Sequence, residues 1–509
     1  MLRHRPQPLL LGLVVVASTA ASLAAKPEAR RPNVLFLMTD EQHYRSLSAT
    51  GNPYVDTPNM DRIAREGALF TNATCVTPYC SPSRASMVTG VYPHRHGILA
   101  NVSPGRTPQE PLSPDAFPTT EMAIHRQGYA TAFRGKWHLG DLGDFPCYES
   151  FAYASRRPRD YAAFLDKNLP ASQFADNKEP GRYLGRPVEK IRTVRKAWEP
   201  FQQQAPKVGY IATIGRSVIP PELLPETQIT DQVLTLIDEN RGRPFMITAS
   251  WSPPHDLWVM PEPYYSMVDR RKIELTGTTD LPQWDQNGAS KKLGDLVGPE
   301  GIREYAAIYY GMVKYIDDQV GRILKRLDDL GLTDSTLVVF TTDHGDMVGA
   351  HGCVGKSISS FYDDLVRIPL CIRFPGRIKP DTMVDKPVSQ IDFLPTILDY
   401  LGEPIPANIH GRSLRPLIEG KNVDWRDYAF CQRADRGRML RTQRWKYTFC
   451  QKPRIVALYD LDNDPHEDQN LAADEEHAET VRKMHRRLRE IMAADGDRLV
   501  ETWPVDPTS

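Results

Sequence analysis

Cysteine is scarce in this chain: seven residues in 509, namely Cys75, Cys80, Cys147, Cys353, Cys371, Cys431 and Cys450, with no regular spacing. That excludes a fold held together by a disulfide framework. The count is odd, so in an oxidising compartment at least one thiol stays unpaired. Only Cys431 and Cys450, which flank an expected hairpin, suggest a pair. Surplus charge is missing as well. The 63 basic and 64 acidic residues nearly cancel, so net charge draws the chain neither to nucleic acid nor to an anionic membrane. Any attraction for an anion must be local. After residue 25 no apolar run reaches the roughly 20 residues that a membrane-spanning helix needs. Internal repeats are absent too. Hydrophobic residues at 40% and charged residues at 25% exclude general disorder. The length calls for one large domain plus a smaller one.

The N-terminus stands apart. Arg3, His4 and Arg5 precede an apolar run over 9–16, and small residues follow up to Ser22-Leu23-Ala24-Ala25. This is the order of a secretory signal, with a short uncleaved anchor as the alternative. The expectation is a signal segment 1–25 and a secreted or periplasmic mature protein, without stable membrane insertion. No cysteine lies near the cleavage point, which argues against a lipid anchor.

Along the rest of the chain, short apolar runs alternate with amphipathic stretches. Strands are expected over 34–38, 129–133, 245–249 and 336–342. Thr57-Pro58 marks a helix start, with Thr57 as N-cap, and Pro82 opens a second helix that runs to Gly90. A long amphipathic helix is expected over 303–330, closed by Gly331. The alternation predicts an α/β fold, a large mostly parallel sheet sandwiched by helices. Past a proline- and glycine-bearing passage near 405, four short strand patterns and a charged helix over 474–493 predict a small antiparallel sheet plus helix. The expected domains are therefore 26–405 and 406–509.

In a parallel sheet ligands gather at the carboxyl ends of the strands. Asp40 and Glu41 follow the first strand, and Asp343 and His344 follow the strongest one. Two acidic clusters on one rim are an oxygen-rich set suited to calcium, magnesium or manganese. Cys80-Ser81-Pro82-Ser83-Arg84 puts a cysteine at a helix start, where free backbone N–H groups and the helix dipole face an anion. Lys136 and His138 are two apart and share a face if the segment is extended. His255, after Pro253-Pro254, also reaches the rim, and Lys356 follows the second acidic cluster.

Cys80-Ser81-Pro82-Ser83-Arg84, continued by Ala85 to Gly90 and by Tyr92-Pro93-His94-Arg95-His96-Gly97, resembles the signature of the type I sulfatases, within the alkaline-phosphatase-like superfamily. The likeness covers nearly the whole mature chain, and the Asp343-His344 pair leans toward its iduronate-sulfatase-like and choline-sulfatase-like members. The resemblance implies that a maturation enzyme oxidises Cys80 to formylglycine, whose hydrate is the nucleophile. It implies one divalent cation, calcium before magnesium or manganese, held by Asp40, Glu41, Asp343, His344 and the position-80 side chain. Glu41 departs from the Asp that many members carry there. By the same resemblance Lys136, His138, His255 and Lys356 contact the nucleophile or the sulfate. His255 is assigned the proton for the departing alcohol and His138 the proton of the second hydroxyl, while Arg84 holds the hydrate and tempers the carboxylates.

The function implied is hydrolysis of a sulfate ester. A formylglycine-dependent phosphonate or phosphate-diester hydrolase and an inactive sulfated-glycan-binding protein are the alternatives. The stretch 155–225 matches no motif. Within it Arg182, Arg186, Lys190, Arg192, Arg195 and Lys196 cluster with Tyr183 and Trp198, which suits a sulfated carbohydrate. Asn72-Ala73-Thr74 and Asn101-Val102-Ser103 are glycosylation sequons if the source cell glycosylates.

Overall fold

A computed structural model describes residues 31–507 apart from 104–106, 142–144, 146, 149, most of 153–213, 218, 280–287, 357–360 and 435. The expected signal segment, 1–25, lies outside the described residues. So do the side chains of the basic cluster at 182–198.

The central strands are rich in apolar and β-branched residues and buried along their length, as a covered parallel sheet requires. In chain order the strands of the sheet are β1 (Asn33–Asp40), β2 (Ala68–Phe70), β3 (Ala130–Gly135), β4 (Ser150–Ala152), β5 (Phe245–Pro254), β6 (Thr336–Thr342), β7 (Leu370–Arg373) and β8 (Thr382–Val384). They form one sheet in the order β8-β2-β7-β6-β1-β5-β3-β4. Every pairing is parallel except those of β7, which runs against both its neighbours. One apolar cluster fills the side covered by α1 (Pro58–Arg65), α3 (Pro225–Asn240) and α4 (Ala289–Asp329). A second cluster fills the other side, beneath α2 (Cys80–Thr89) and the helix Phe393–Leu401. Among the described residues no helix is long and apolar enough to cross a membrane.

After residue 405 come β9 (Ala429–Arg433), β10 (Gly437–Arg441), β11 (Trp445–Cys450) and β12 (Ile455–Asp460), followed by α5 (Ala478–Ala494). The four strands form an antiparallel sheet in sequence order. Val481, Met484, Leu488 and Met492 of α5 are buried in the cluster that also holds Leu440, Tyr447 and Leu458, at the i, i+3, i+7 spacing of one helix face.

Several local expectations are revised. The long helix begins at Ala289, not 303, and passes through a break at Gly298 (φ 67°, ψ 179°) and Pro299. A proline without an N–H restarts a helix there without losing a bond. Helix α2 starts at Cys80, two residues before Pro82. The first intrahelical bond runs from Ser83 N–H to Tyr79 O, so Pro82 falls among the positions whose N–H has no helical partner. Thr57 sits at the α1 N-cap, but its hydroxyl donates to Asp61 Oδ1 (3.0 Å) and takes no helix N–H. Cys431 and Cys450 lie on β9 and β11 with β10 between them, and all seven cysteines are free thiols. The suggested pair is separated by a whole strand.

Candidate active site

The rim of the sheet gathers the site because registers are flush. Thr39 pairs with Thr342, so Asp40 and Asp343 leave the sheet side by side. Gly135 pairs with Ser250, and Lys136 N–H donates to the Ser250 carbonyl, which fixes Lys136 against β5. A bulge between Met38 and Asp40 brings Asp40 opposite Pro254, next to His255. Helix α2 ends at Gly90 in the left-handed region (φ 71°) and points its N-terminus at these residues.

Cys80 is the point of convergence. Its Sγ lies 3.3 Å from His344 Nε2, 3.8 Å from Lys356 Nζ and 3.9 Å from Asp40 Oδ1, and it hydrogen-bonds the His138 ring. Burial alone would raise the thiol, but Lys136, Lys356 and His344 outweigh it and hold it well below its ordinary value. Any anion formed at position 80 is therefore stabilised.

Arg84 is buried and braces the two carboxylates: Nε donates to Asp343 Oδ2 at 2.7 Å and Nη2 to Asp40 Oδ2 at 2.8 Å. Its Nη1 bonds the Lys136 carbonyl and Ser250 Oγ. The hydrogen bonds it makes thus temper the carboxylate charge, and the position-80 side chain is not among its partners. Asp40 is fully buried, which opposes ionisation, as does Cys80, but Lys136, His255 and Arg84 keep it below the usual carboxylate range. Asp343 goes the other way, raised by burial and by Asp40 beside it. His344 is lifted to about 10 against its burial, chiefly by Asp343 and Cys80.

Lys136 is ion-paired to Asp40. His138 also reaches the site, though not by strand alternation. Its backbone is left-handed (φ 66°), outside any strand, and the Ser81 hydroxyl holds its carbonyl at 2.6 Å. A turn, not an extended segment, delivers the imidazole.

His255 Nδ1 meets Asp256 Oδ1 at 2.5 Å, and its Nε2 lies 2.8 Å from Lys356 Nζ and 3.4 Å from Glu41 Oε2. Two basic nitrogens at that separation have room for one shared proton between them. Lys356 Nζ also bonds Glu41 Oε2 at 2.7 Å.

All the expected site residues thus meet on one rim, but Glu41 stands a little aside. The donor atoms of Asp40, Cys80, Asp343 and His344 lie within 4.8 Å of one another, whereas Glu41 groups only with Asp40 and His255. Two carboxylates, an imidazole and the position-80 group are a donor set that suits a divalent cation.

Sequence reasoning missed four contributors. Asp256 orients His255, and Asp346 hydrogen-bonds Glu41. Gln390 donates to the Asp343 carbonyl at 2.6 Å, and Asn101 Oδ1 accepts from Ser81 N–H at 3.1 Å. Asp256 and Asp346 carried a signal, being one and two residues from His255 and His344. Gln390 and Asn101 come from remote loops and carried none. Asn72 is buried, with its Oδ1 accepting from Arg441, so its sequon is not presented for glycosylation.

The sequence pattern of the family described as Sulfatase matches residues 32–403, and that described as N-sulphoglucosamine sulphohydrolase, C-terminal, matches residues 349–494. The N-acetylglucosamine-6-O-sulfatase of Bacteroides thetaiotaomicron is 27% identical over 96% of this chain and 91% of its own. The arylsulfatase of Clostridium perfringens is 27% identical over 93% and 98%. Among solved structures, the phosphonate monoester hydrolase of Agrobacterium radiobacter shares the fold with a TM-score of 0.73 at 24% identity, over 91% of this chain and 96% of that one.

Proposed function

The chain belongs to the sulfatase family, enzymes that hydrolyse sulfate esters, and from that premise we propose that it is an exported, formylglycine-dependent sulfatase acting on a sulfated carbohydrate. The observation that carries the reading is the convergence of His344, His138, Lys356 and Asp40 on Cys80 at the N-terminus of α2.

Formylglycine, once made from Cys80 by a maturation enzyme, would supply a hydrated aldehyde with a hydroxyl as the nucleophile. A divalent cation, calcium by preference, supplies Lewis-acid stabilisation of negative charge when bound by Asp40, Asp343, His344 and position 80. The chain's own residues do the rest. Lys136, Lys356 and the α2 N-terminus offer positive potential to the sulfuryl oxygens, where charge grows as sulfur is attacked. The proton shared at His255 Nε2 is placed to pass to the leaving alcohol oxygen, and Asp256, which accepts from Nδ1–H, stabilises the imidazolium that carries it. His138 would take the proton of the second hydroxyl as the carbon–oxygen bond to the sulfate breaks and the aldehyde C=O re-forms. Arg84 keeps Asp40 and Asp343 together against their mutual repulsion.

The carbohydrate assignment is supported by the relative named N-acetylglucosamine-6-O-sulfatase. The signal-like N-terminus and the Arg and Lys cluster at 182–196 support it too. The test compares kcat/KM on sulfated sugars, an aryl sulfate and a phosphonate ester, for the wild type and for a variant with Arg192 and Arg195 changed to Ala. The expected result is preference for a sulfated sugar and a loss confined to sugars in the variant. Preference for the aryl sulfate would reject the carbohydrate substrate, and preference for the phosphonate would reject sulfate-ester hydrolysis as the main activity.

A further inference from the structure

We propose that Glu41 is a positioning residue that sets Lys356 and His255 in place and is not a ligand of the cation. The inference rests on the sulfatase reading of the same site. Glu41 follows Asp40 directly, yet its backbone turns into the left-handed region (φ 65°). That conformation is fixed from both sides: its N–H donates to Asp343 Oδ1 at 3.0 Å, and its carbonyl accepts from Tyr309 OH at 2.6 Å. The side chain therefore leaves the rim in a set direction, where its carboxylate groups with Asp40 and His255 and not with the Cys80, Asp343 and His344 donors.

Its carboxylate is already committed. Oε2 bonds Lys356 Nζ at 2.7 Å and lies 3.4 Å from His255 Nε2, and Asp346 bonds the same group. The second cluster of possible donors, Asp40, Glu41 and His255, has the Lys356 ammonium 2.8 Å from His255 and 2.7 Å from Glu41. A divalent ion placed there would meet a fixed positive charge at close range. The methylene that distinguishes Glu from Asp gives the carboxylate reach past the cation site to the lysine. Lys356 has a four-carbon stem with many rotamers, and the Glu41 contact holds its Nζ 3.8 Å from Cys80 Sγ. Without it the ammonium would spend its time elsewhere, and the transition state would lose a preorganised charge.

The experiment measures binding of calcium alone and of manganese alone by calorimetry, together with kcat and KM on a chromogenic aryl sulfate, for the wild type, Glu41→Gln, Glu41→Ala and Asp343→Asn. The expected result is cation affinity within about threefold of wild type in both Glu41 variants, while Asp343→Asn loses at least about 100-fold. On the aryl sulfate, kcat should fall about tenfold in Glu41→Gln and about 100-fold in Glu41→Ala, with KM changing little. Glu41→Gln keeps the side chain's size, so it answers the question if Glu41→Ala does not fold. A cation defect in Glu41→Gln as large as that of Asp343→Asn would overturn the inference, as would an unchanged kcat in Glu41→Ala. Wild-type protein that turns over no sulfate ester would instead sink the underlying activity, and the calorimetry would still decide the role of Glu41.

Discussion

Two buried charge clusters in this molecule are built from the same residue types and do different things. One is the site around Cys80. The other lies where the C-terminal sheet meets the large domain. There Asp363, at the start of the short helix Asp363–Val366, takes Arg441 of β10 at 2.9 Å, Lys446 of β11 at 3.0 Å and Arg367 at 3.4 Å. Glu467 accepts from the Asp363 N–H and pairs with Lys446 at 2.7 Å. In this second cluster every charge faces a partner, and the side chains of Asp363, Arg441, Lys446 and Glu467 are all buried, with Arg367 alone reaching solvent at its edge. Burial would raise the Asp363 carboxyl, but Arg441, Lys446 and Arg367 hold it well below its ordinary range. Around Cys80 the carboxylates are sealed, yet the cations are not: Asp40 is fully buried, while the side chains of Lys136, Lys356 and His255 are 13%, 16% and 24% exposed. A closed cluster has no valence left for a ligand and serves to clamp two parts of the chain. An open one directs its uncovered positive charge at whatever anion enters.

The largest effect should come from the open cluster's centre. Cys80→Ala is expected to lower sulfate release by more than about 10⁴-fold with the melting temperature little changed. A comparable loss of stability would mean that the site also clamps the fold and would break the distinction.

Acid should weaken the support of the open cluster. His96 Nε2 contacts Ser86 Oγ of α2 at 2.9 Å, and its Nδ1 accepts from Ile98 N–H at 3.0 Å. Burial, with His94 nearby, lowers it to about 3. The folded value is depressed below the ordinary 6.5, so the stabilisation is present above pH 6.5 and is lost as pH falls toward about 3. The full loss is about 4–5 kcal/mol. Chemical denaturation between pH 7 and 4 should show the fall, and His96→Gln should flatten it. A variant with the wild-type slope would remove His96 as the cause.

The closed cluster should answer to Asp363→Asn with a loss of stability of about 3–5 kcal/mol, since Arg441 and Lys446 are left buried without their anion. Activity per folded molecule should stay near wild type. A fall in kcat at unchanged stability would show that this cluster is not merely a clamp. The smallest effect belongs to Asp256→Asn. It should lower kcat about tenfold with KM nearly constant, because the His255 imidazolium is then stabilised less. An unchanged kcat would show that the ring needs no such partner.

Much of the open cluster was legible in the sequence because its residues sit in short local patterns. Asp40 and Asp343 each end an apolar strand, Cys80 and Arg84 share one helical turn, and Lys136 and His138 share one loop. The flush register that unites them is a property of the sheet, and the alternation of strands and helices anticipates it only in outline. The closed cluster was invisible. Asp363, Arg441, Lys446 and Glu467 come from four separate segments, and each reads alone as an ordinary surface charge. The same holds for Gln390 and Asn101. Glu41 shows the other limit: adjacency to Asp40 suggested a shared ligand role, and nothing in the sequence foretold that its left-handed backbone would bring its carboxylate against Lys356. Helix starts were misjudged at Pro82, taken as the first residue of a helix that begins at Cys80, and at 303, set inside a helix that begins at Ala289, because proline is accommodated wherever a helix N–H lacks a partner.

The central claim is that the side chain at position 80, once converted, performs the chemistry. Preparations made with graded amounts of a maturation enzyme can be compared by mass spectrometry of the Cys80 peptide, with sulfate release measured on the same samples. Turnover should rise in proportion to the aldehyde fraction and extrapolate to zero with unmodified cysteine. Full turnover in a preparation that carries only cysteine at position 80 would contradict it.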